Sequence, residues 1–483
     1  MKKISKVDSN VYKLDGRVPL RQAIPLGMQH VLAMFVGNLS PMLVLFGICG
    51  ITADAGLGAL RVSLLQNAMF IAGVVTVLQL YPLGPVGARL PIVMGTSSGF
   101  IGINKAIAVS MMAGVAAGAI TTSAEAGIYA YGAVMGASLV GGIFEGALGF
   151  CLKPLRRFFP SVVTGTVVMA IGFSLIDVGI GFFGGGRSSS DYGSPANICL
   201  ALFTLIVIIV CKHGRSKFAS ASSILVGILA GYVASFVMSL FMPTVFLSEG
   251  VTKTCSWVTR WNEVKDASWF ALPDIMPVAL QFNIKAILPM LLMFIVTAVE
   301  TIGDTSGITE SGLGREATDK ELSGAVICDG LGSSLAALFG VMPNTSFSQN
   351  VGMVGITKVV NRFCIFTGAV FLMLTGLFPK LGAVLSAMPQ PVLGGAAVFM
   401  FASILVSGIS LITKEPLSSR NITIVSVSLG LGFGIGSSPA ILSNMPEWVF
   451  YIFGESGIVP AALIAVMLNI VLPAGKESPY RPS

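Results

Sequence analysis

The chain has 483 residues, of which 54% are hydrophobic and only 11% charged, with a mean hydropathy of +0.87. A soluble domain carries about 25% charged residues, so a water-soluble enzyme or a nucleic-acid-binding module is excluded and an all-α polytopic membrane protein is expected. The net charge of +7 is spread along the loops between apolar runs, where Lys and Arg set orientation in a membrane.

Residues 1–24 are polar and basic (Lys2, Lys3, Lys6, Lys13, Arg17, Arg21) and lack the apolar core of a cleavable signal, so a cytoplasmic tail is expected there. About fourteen apolar segments follow, near 25–48, 60–81, 88–112, 126–151, 160–183, 195–211, 219–242, 284–306, 321–340, 342–359, 362–384, 391–412, 421–442 and 455–474, with a second tail at 475–483. Most are long enough to cross a bilayer; the third and tenth are too interrupted to be plain helices. If both ends are cytoplasmic, 21 of the 29 Lys and Arg residues fall in inside loops, among them Lys153, Arg156, Arg157, Lys212, Arg215, Lys217, Lys476 and Arg481. That asymmetry requires an even number of spans and a multi-pass protein of the cell membrane. The longest outer segment, 243–283, divides the spans into seven and seven. An odd number per half turns the halves upside down relative to each other.

Taken in chain order, the first polar feature inside an apolar run is Gln29-His30, where His30 serves either as an interhelical hydrogen-bonder or as a ligand group; Asn38 is similar. In the third segment, Leu90-Pro91-Ile92-Val93-Met94-Gly95-Thr96-Ser97-Ser98-Gly99 predicts an extended stretch followed by a half-helix. Glu145 is a membrane acid without an assigned role. His213 lies in a basic loop. The seven Cys (49, 151, 199, 211, 255, 328, 364) make no CxxC and no metal spacing and read as small packing residues.

Val299-Glu300-Thr301-Ile302-Gly303-Asp304 then ends an apolar run. Acids in a membrane interior cost roughly 2.5–3.5 kcal/mol each, which makes each a functional candidate. Glu300 and Asp304 are four apart, on one helical face. Two anions so close in a low dielectric are hard to ionise together, which supplies a means of proton coupling; the alternative for Asp304 is a solvated helix end. Glu310, Glu316, Asp319 and Glu321 sit beside Arg315 and Lys320 and read as a solvated loop. Asp329, in the small-residue segment 325–341, has no charged neighbour in sequence, so it needs a partner from another segment or a proton. Met342-Pro343-Asn344-Thr345-Ser346-Phe347-Ser348 matches the interrupted stretch of the first half. Extended backbone at membrane depth is tolerated only where protein or a polar cavity satisfies it, and two such segments would offer helix N-termini to an electron-rich ligand. Gln349-Asn350 follows. An amide presents a donor and an acceptor side by side, the pattern of a nucleobase lactam edge; Asn350 also suits a helix cap.

The run Gln349-Asn350-Val351-Gly352-Met353-Val354-Gly355-Ile356-Thr357-Lys358 fits every fixed position of the signature of the nucleobase–ascorbate transporters, also called nucleobase:cation symporters of the second type. Glu300-Thr301-Ile302-Gly303-Asp304 resembles the motif of that family's eighth span, Asp329 the acid of its ninth, and Gln29-His30 the pair of its first. The resemblance covers nearly the whole chain. It implies a fourteen-span inverted repeat with a core domain (25–152 and 284–384, spans 1–4 and 8–11), a gate domain (153–283 and 385–474, spans 5–7 and 12–14), a homodimer and proton-driven uptake. By the same resemblance Glu300 and Gln349 bind the base, Asn350 supports the site, His30 tunes it, and Asp304 and Asp329 act with Glu300 in proton coupling. Uracil carriers of the family tend to carry His where Asp304 stands, so the chain looks like the xanthine and uric-acid branch. Family members often have Phe at the position of Ser98, whereas this chain has Phe at 100, leaving Ser98 and Phe100 as candidates for one wall of the base site.

The expectation is therefore a proton-coupled purine symporter working by alternating access, with protons, a purine and lipid as partners and no nucleic acid. The alternatives are a uracil or broader nucleobase permease, or an anion exchanger of sulfate or bicarbonate type. No metal spacing, nucleophile–base pair or cofactor loop is present, so neither an enzyme nor a cofactor is expected.

Overall fold

The computed structural model describes residues 8–51, 56–116, 123–152, 160–187, 189–214, 223–248, 251–446 and 457–473, together with 449 and 453. The expected tail 475–483 and the loop cations Lys2, Lys3, Lys6, Lys153, Arg156, Arg157, Arg215, Lys217, Lys476 and Arg481 lie outside the described residues.

A helix stands in each of the fourteen apolar segments. They are α1 (Leu20–Ile48), α2 (Gly58–Leu80), α3 (Ile101–Ala116), α4 (Ser123–Phe150), α5 (Ser161–Phe183), α6 (Pro195–Lys212) and α7 (Ser223–Phe241). The second half supplies α8 (Ile284–Ile308), α9 (Asp319–Leu338), α10 (Ser348–Thr357), α11 (Arg362–Thr375), α12 (Gln390–Ile412), α13 (Ser419–Ser437) and α14 (Ile458–Val471). Among the described residues seven, α2, α4 to α8 and α12, are long and apolar enough to cross a membrane. Helix starts follow side-chain capping. Ser194 caps α6, Asn283 caps α8, Asn361 caps α11 and Ser418 caps α13. At α9, Thr318 and Glu321 close a reciprocal capping box, so Glu321 is spent on a helix end and on Arg315, at 2.5 Å, rather than on water.

The two interrupted segments are extended where Pro91 and Pro343 deny the helix its N–H donors. Strands β1 (Met94–Thr96) and β4 (Asn344–Ser346) pair antiparallel about Gly95 and Thr345. The ladder continues as Ser97 N donates to Pro343 O at 2.8 Å and Phe347 N to Val93 O at 3.0 Å. This two-stranded sheet lies wholly buried in the interior. It satisfies the backbone of both segments without water, the condition for non-helical chain at that depth.

The packing repeats with a shift of seven. α4 packs on α9 and α2 on α11; α1 packs on α11 and α8 on α4; α6 packs on α7 and α13 on α14. β1 lies against α1 and α2, β4 against α8 and α9, and α5 pairs with its own counterpart α12. Adding seven to each index in the first half reproduces the second, and the antiparallel β1–β4 pair sits at the centre of that relation.

Three features depart from the expected segments. The eleventh is not continuous: α11 stops at Thr375 and a short helix, Pro379–Ser386, follows; Gly376 N still donates to Leu372 O at 3.0 Å, but Pro379 has no N–H to carry the ladder further. The thirteenth ends at Ser437, before Pro439 begins a 3-10 turn. The outer segment 243–283 is not plain loop but holds a hairpin, β2 (Val245–Ser248) with β3 (Val251–Thr254), and a short helix at Trp261–Asp266.

Candidate functional site

The β1–β4 sheet turns into two helix N-termini. After β1, a 3-10 turn (Ser98–Phe100) leads into α3, with Ser97 Oγ accepting from Gly99 N at 3.2 Å. After β4, Phe347 takes the cap position and α10 begins at Ser348. Asn350 is therefore not the N-cap, and its side chain is used elsewhere. Each strand is held by its neighbours: Asn38 Oδ1 accepts from Thr96 N at 2.8 Å and Thr76 Oγ1 from Met94 N at 2.9 Å. Ser333 Oγ donates to Asn344 O at 2.9 Å. A Cβ on Gly95 would lie 2.6–2.8 Å from Asn38, Met34 and Phe347, so only glycine lets α1 and Phe347 close on the strand.

α8 carries the acids to this junction. Asp304 is only 6% exposed. It accepts from Ser346 Oγ at 2.8 Å and Ser348 Oγ at 2.9 Å, so the solvated-end alternative for Asp304 does not hold. The carboxylate bridges the end of β4 to the first residue of α10. One turn away, Thr301 Oγ1 donates to Asp329 Oδ2 at 2.5 Å and lies 3.5 Å from Ser346 Oγ. Asp329 is fully buried, and its partners come from α8, α4 and β4, not from its own helix.

Glu300 is 8% exposed. Among the described residues nothing hydrogen-bonds it, and its Oε2 is wholly buried. Gln349, half-buried in the first turn of α10, also has an unengaged amide among the described residues. It lines a cavity of about 200 Å³ between α10 and α12, together with Ser348, Gly352, Phe399, Ser403 and Ser407. An unsatisfied buried polar group costs about 1–3 kcal/mol. Among the described residues Glu300 on α8 is such a group, whereas the half-buried Gln349 amide on α10 faces the cavity.

Asn350 is committed within the protein. Its Oδ1 lies 2.5 Å from His30 Nδ1 and its Nδ2 donates to Pro91 O at 2.8 Å. It thus ties α10 to α1 and to the extended stretch before β1. His30 is buried, with Nε2 unpartnered among the described residues. Phe100 is fully buried, its ring centroid 4.8 Å from that of Phe294. Ser98 is half-buried at the start of the same turn.

Several contributors escape a reading of the sequence. Thr297, Thr301, Ser346 and Ser348 look like ordinary small residues in apolar runs, yet each holds a carboxyl group. The signal that could have found two of them is the i, i+4 spacing of Thr297 and Thr301 on the helix face that ends in Asp304.

Residues 21–441 match the sequence profile of the Permease family. The chain is 32% identical over 473 residues to the xanthine permease XanP of Escherichia coli K12, covering 97% of this chain and 95% of that one. It is 31% identical over 451 residues to the uric acid transporter UacT of the same strain, covering 92% and 85%. Among solved structures it is similar to the transmembrane domain of the bicarbonate transporter BicA from a cyanobacterium, with a TM-score of 0.55, 17% identity and coverage of 95% and 100%. That last likeness concerns the fold alone.

Proposed function

The chain belongs to the nucleobase–ascorbate transporter family, and we propose that it is a proton-coupled symporter importing an oxidised purine, xanthine or uric acid, across the cytoplasmic membrane. It is a permease and not an enzyme. The observation that carries the proposal is that the Glu300 carboxyl on α8 and the Gln349 amide in the first turn of α10 are both unspent among the described residues, and that the amide lines a cavity. The amide offers N–H and C=O side by side to a lactam edge, and the carboxyl accepts from a ring N–H. Ser98 closes the α3 side, backed by Phe100 packed on Phe294, while Asn350 and His30 hold α10 against the extended stretch. Asp304 and Asp329 share the proton traffic with Glu300. No observation favours the anion exchanger: a sulfate- or bicarbonate-type oxyanion is repelled by three carboxyl groups and lacks the ring N–H donors with which a purine can engage them.

Alternating access follows from dividing the helices into a core, 25–152 and 284–384, and a gate, 153–283 and 385–474, with both termini cytoplasmic and two copies per transporter. Its support is the packing pattern: α1, α2, α4, α8, α9 and α11 pack chiefly on one another, as do α5, α6, α7, α12, α13 and α14. The cavity beside Gln349 lies between α10, a helix of the proposed core, and α6, α7 and α12 of the proposed gate.

The test is uptake into proteoliposomes under imposed pH or sodium gradients, comparing labelled xanthine, urate, guanine, hypoxanthine and uracil. Xanthine or urate should accumulate with an inward proton gradient and stop accumulating when a protonophore is added. Glu300→Gln should abolish accumulation and raise the Kd of the base at least tenfold, since a hydrogen bond to a charged group contributes about 1.5–3 kcal/mol. Normal concentrative uptake by that variant would refute the assignment.

A further inference from the structure

Glu145, on α4, has no place in the mechanism so far. It is fully buried, accepts from Thr297 Oγ1 at 3.3 Å, and lies within hydrogen-bond reach of the Asp329 carboxyl. The contact is built in by the backbone. A Cβ on Gly330, the residue after Asp329, would lie 2.3 Å from Gly146 N and 2.5 Å from Gly142 O. Glycine at these positions lets α4 and α9 approach closely, and Ser334 and Ser323 of α9 donate to the Leu139 and Gly149 carbonyls of α4. Glu145 is thereby delivered to Asp329.

Two carboxylates are acceptors only and cannot hydrogen-bond each other; one carboxyl and one carboxylate can. Glu145 Oε2 and Asp329 Oδ1 have no other partner among the described residues, which is the pattern left when the bond between them needs a proton. The charged groups that face Glu145 from α8 and α9 are Glu300 and Asp329, both acids, and the one charged residue of the adjoining α3, Lys105, is exposed. Among the described residues no cation is seen to neutralise the pair.

We propose that Glu145 and Asp329 hold one proton between them and form the far terminus of a proton file that runs through Thr301, Ser346 and Asp304 to Ser348 beside the base. Three links are in place, Thr301 donating to Asp329 and Ser346 and Ser348 both donating to Asp304; the fourth, the 3.5 Å contact between Thr301 and Ser346, closes when one hydroxyl turns its single hydrogen toward the other. The role in transport rests on the proton-coupled reading above; the shared proton does not.

The test uses the purified full chain. Infrared difference spectra should show the carbonyl band of a protonated carboxyl group, shifted in D2O, that is lost in Glu145→Gln. The amide of that variant donates to Asp329 and leaves it a pure acceptor. Uptake driven by a pH gradient should fall at least tenfold in Glu145→Gln and recover in part in Glu145→Asp. A band unchanged in Glu145→Gln, or proton-driven uptake within twofold of the native chain, overturns the proposal. Asp329→Asn provides a second spectrum, and a band that survives in both variants has the same consequence. If native uptake follows sodium or no gradient, it is the symporter assignment that fails, and the infrared result still decides the pair.

Discussion

Asn350 makes two buried hydrogen bonds of opposite sense, accepting from His30 and donating to the Pro91 carbonyl. Asn350→Ala leaves a ring N–H and a carbonyl without partners, and each loss costs about 1–3 kcal/mol. The thermal midpoint of the purified protein should drop, and should drop less when Asn350→Ala is made in a His30→Leu background, because one orphan is already gone. Independent effects that simply add would show that the pair is not coupled. At this scale the sequence was informative about which residue types matter and silent about their partners. Glu300, Asp304 and Asp329 stand out because acids in apolar runs are costly. That Asp304 grips two serines, or that Asp329 meets Glu145, depends on contacts between helices that no spacing along one chain encodes. Phe100 shows the converse: an aromatic next to the site spends its ring on Phe294.

Elements were legible where a residue imposes a backbone rule. Pro91 and Pro343 announce the two extended stretches, and Ser194, Asn283, Asn361 and Ser418 announce helix starts. The Thr318–Glu321 capping box follows the same rule, although the charges around it read as a solvated loop. Three-residue strands carry no periodicity, so the pairing of Gly95 with Thr345 could not be read. The crossing of α4 and α9 was hidden for another reason: glycine announces freedom to approach, not what approaches. Gly330→Ala would place a methyl against backbone that cannot yield, and overpacking of this kind costs about 1–3 kcal/mol. Thermal denaturation should show that loss, whereas Gly430→Ala in α13, with nothing within 4 Å of the added carbon, should be neutral or gain up to about 1 kcal/mol from helix propensity.

At the scale of the whole molecule, an odd number of spans on each side of 243–283 was enough to anticipate the inverted relation, and packing that repeats with a shift of seven realises it. The proposed division into a core and a gate is open to a direct measurement. Gly352 on α10 and Ser403 on α12 line the same cavity. With the exposed native cysteines replaced, Gly352→Cys and Ser403→Cys joined by a short cross-linker should reduce uptake at least tenfold, and a reducible linker should restore it on cleavage. Uptake indifferent to the tether would mean that α10 and α12 need not separate. The central sheet has one further consequence, for synthesis. Thr96 finds its partner in Asn344, so the ribosome must add roughly 250 residues before that strand can pair, about 12–50 s at 5–20 residues per second. Through that interval the nascent first half holds an open edge inside the bilayer, the condition that otherwise invites mispairing. Biogenesis of this carrier therefore includes a waiting state, and whatever shelters that edge in the translocon or the lipid governs how much protein matures.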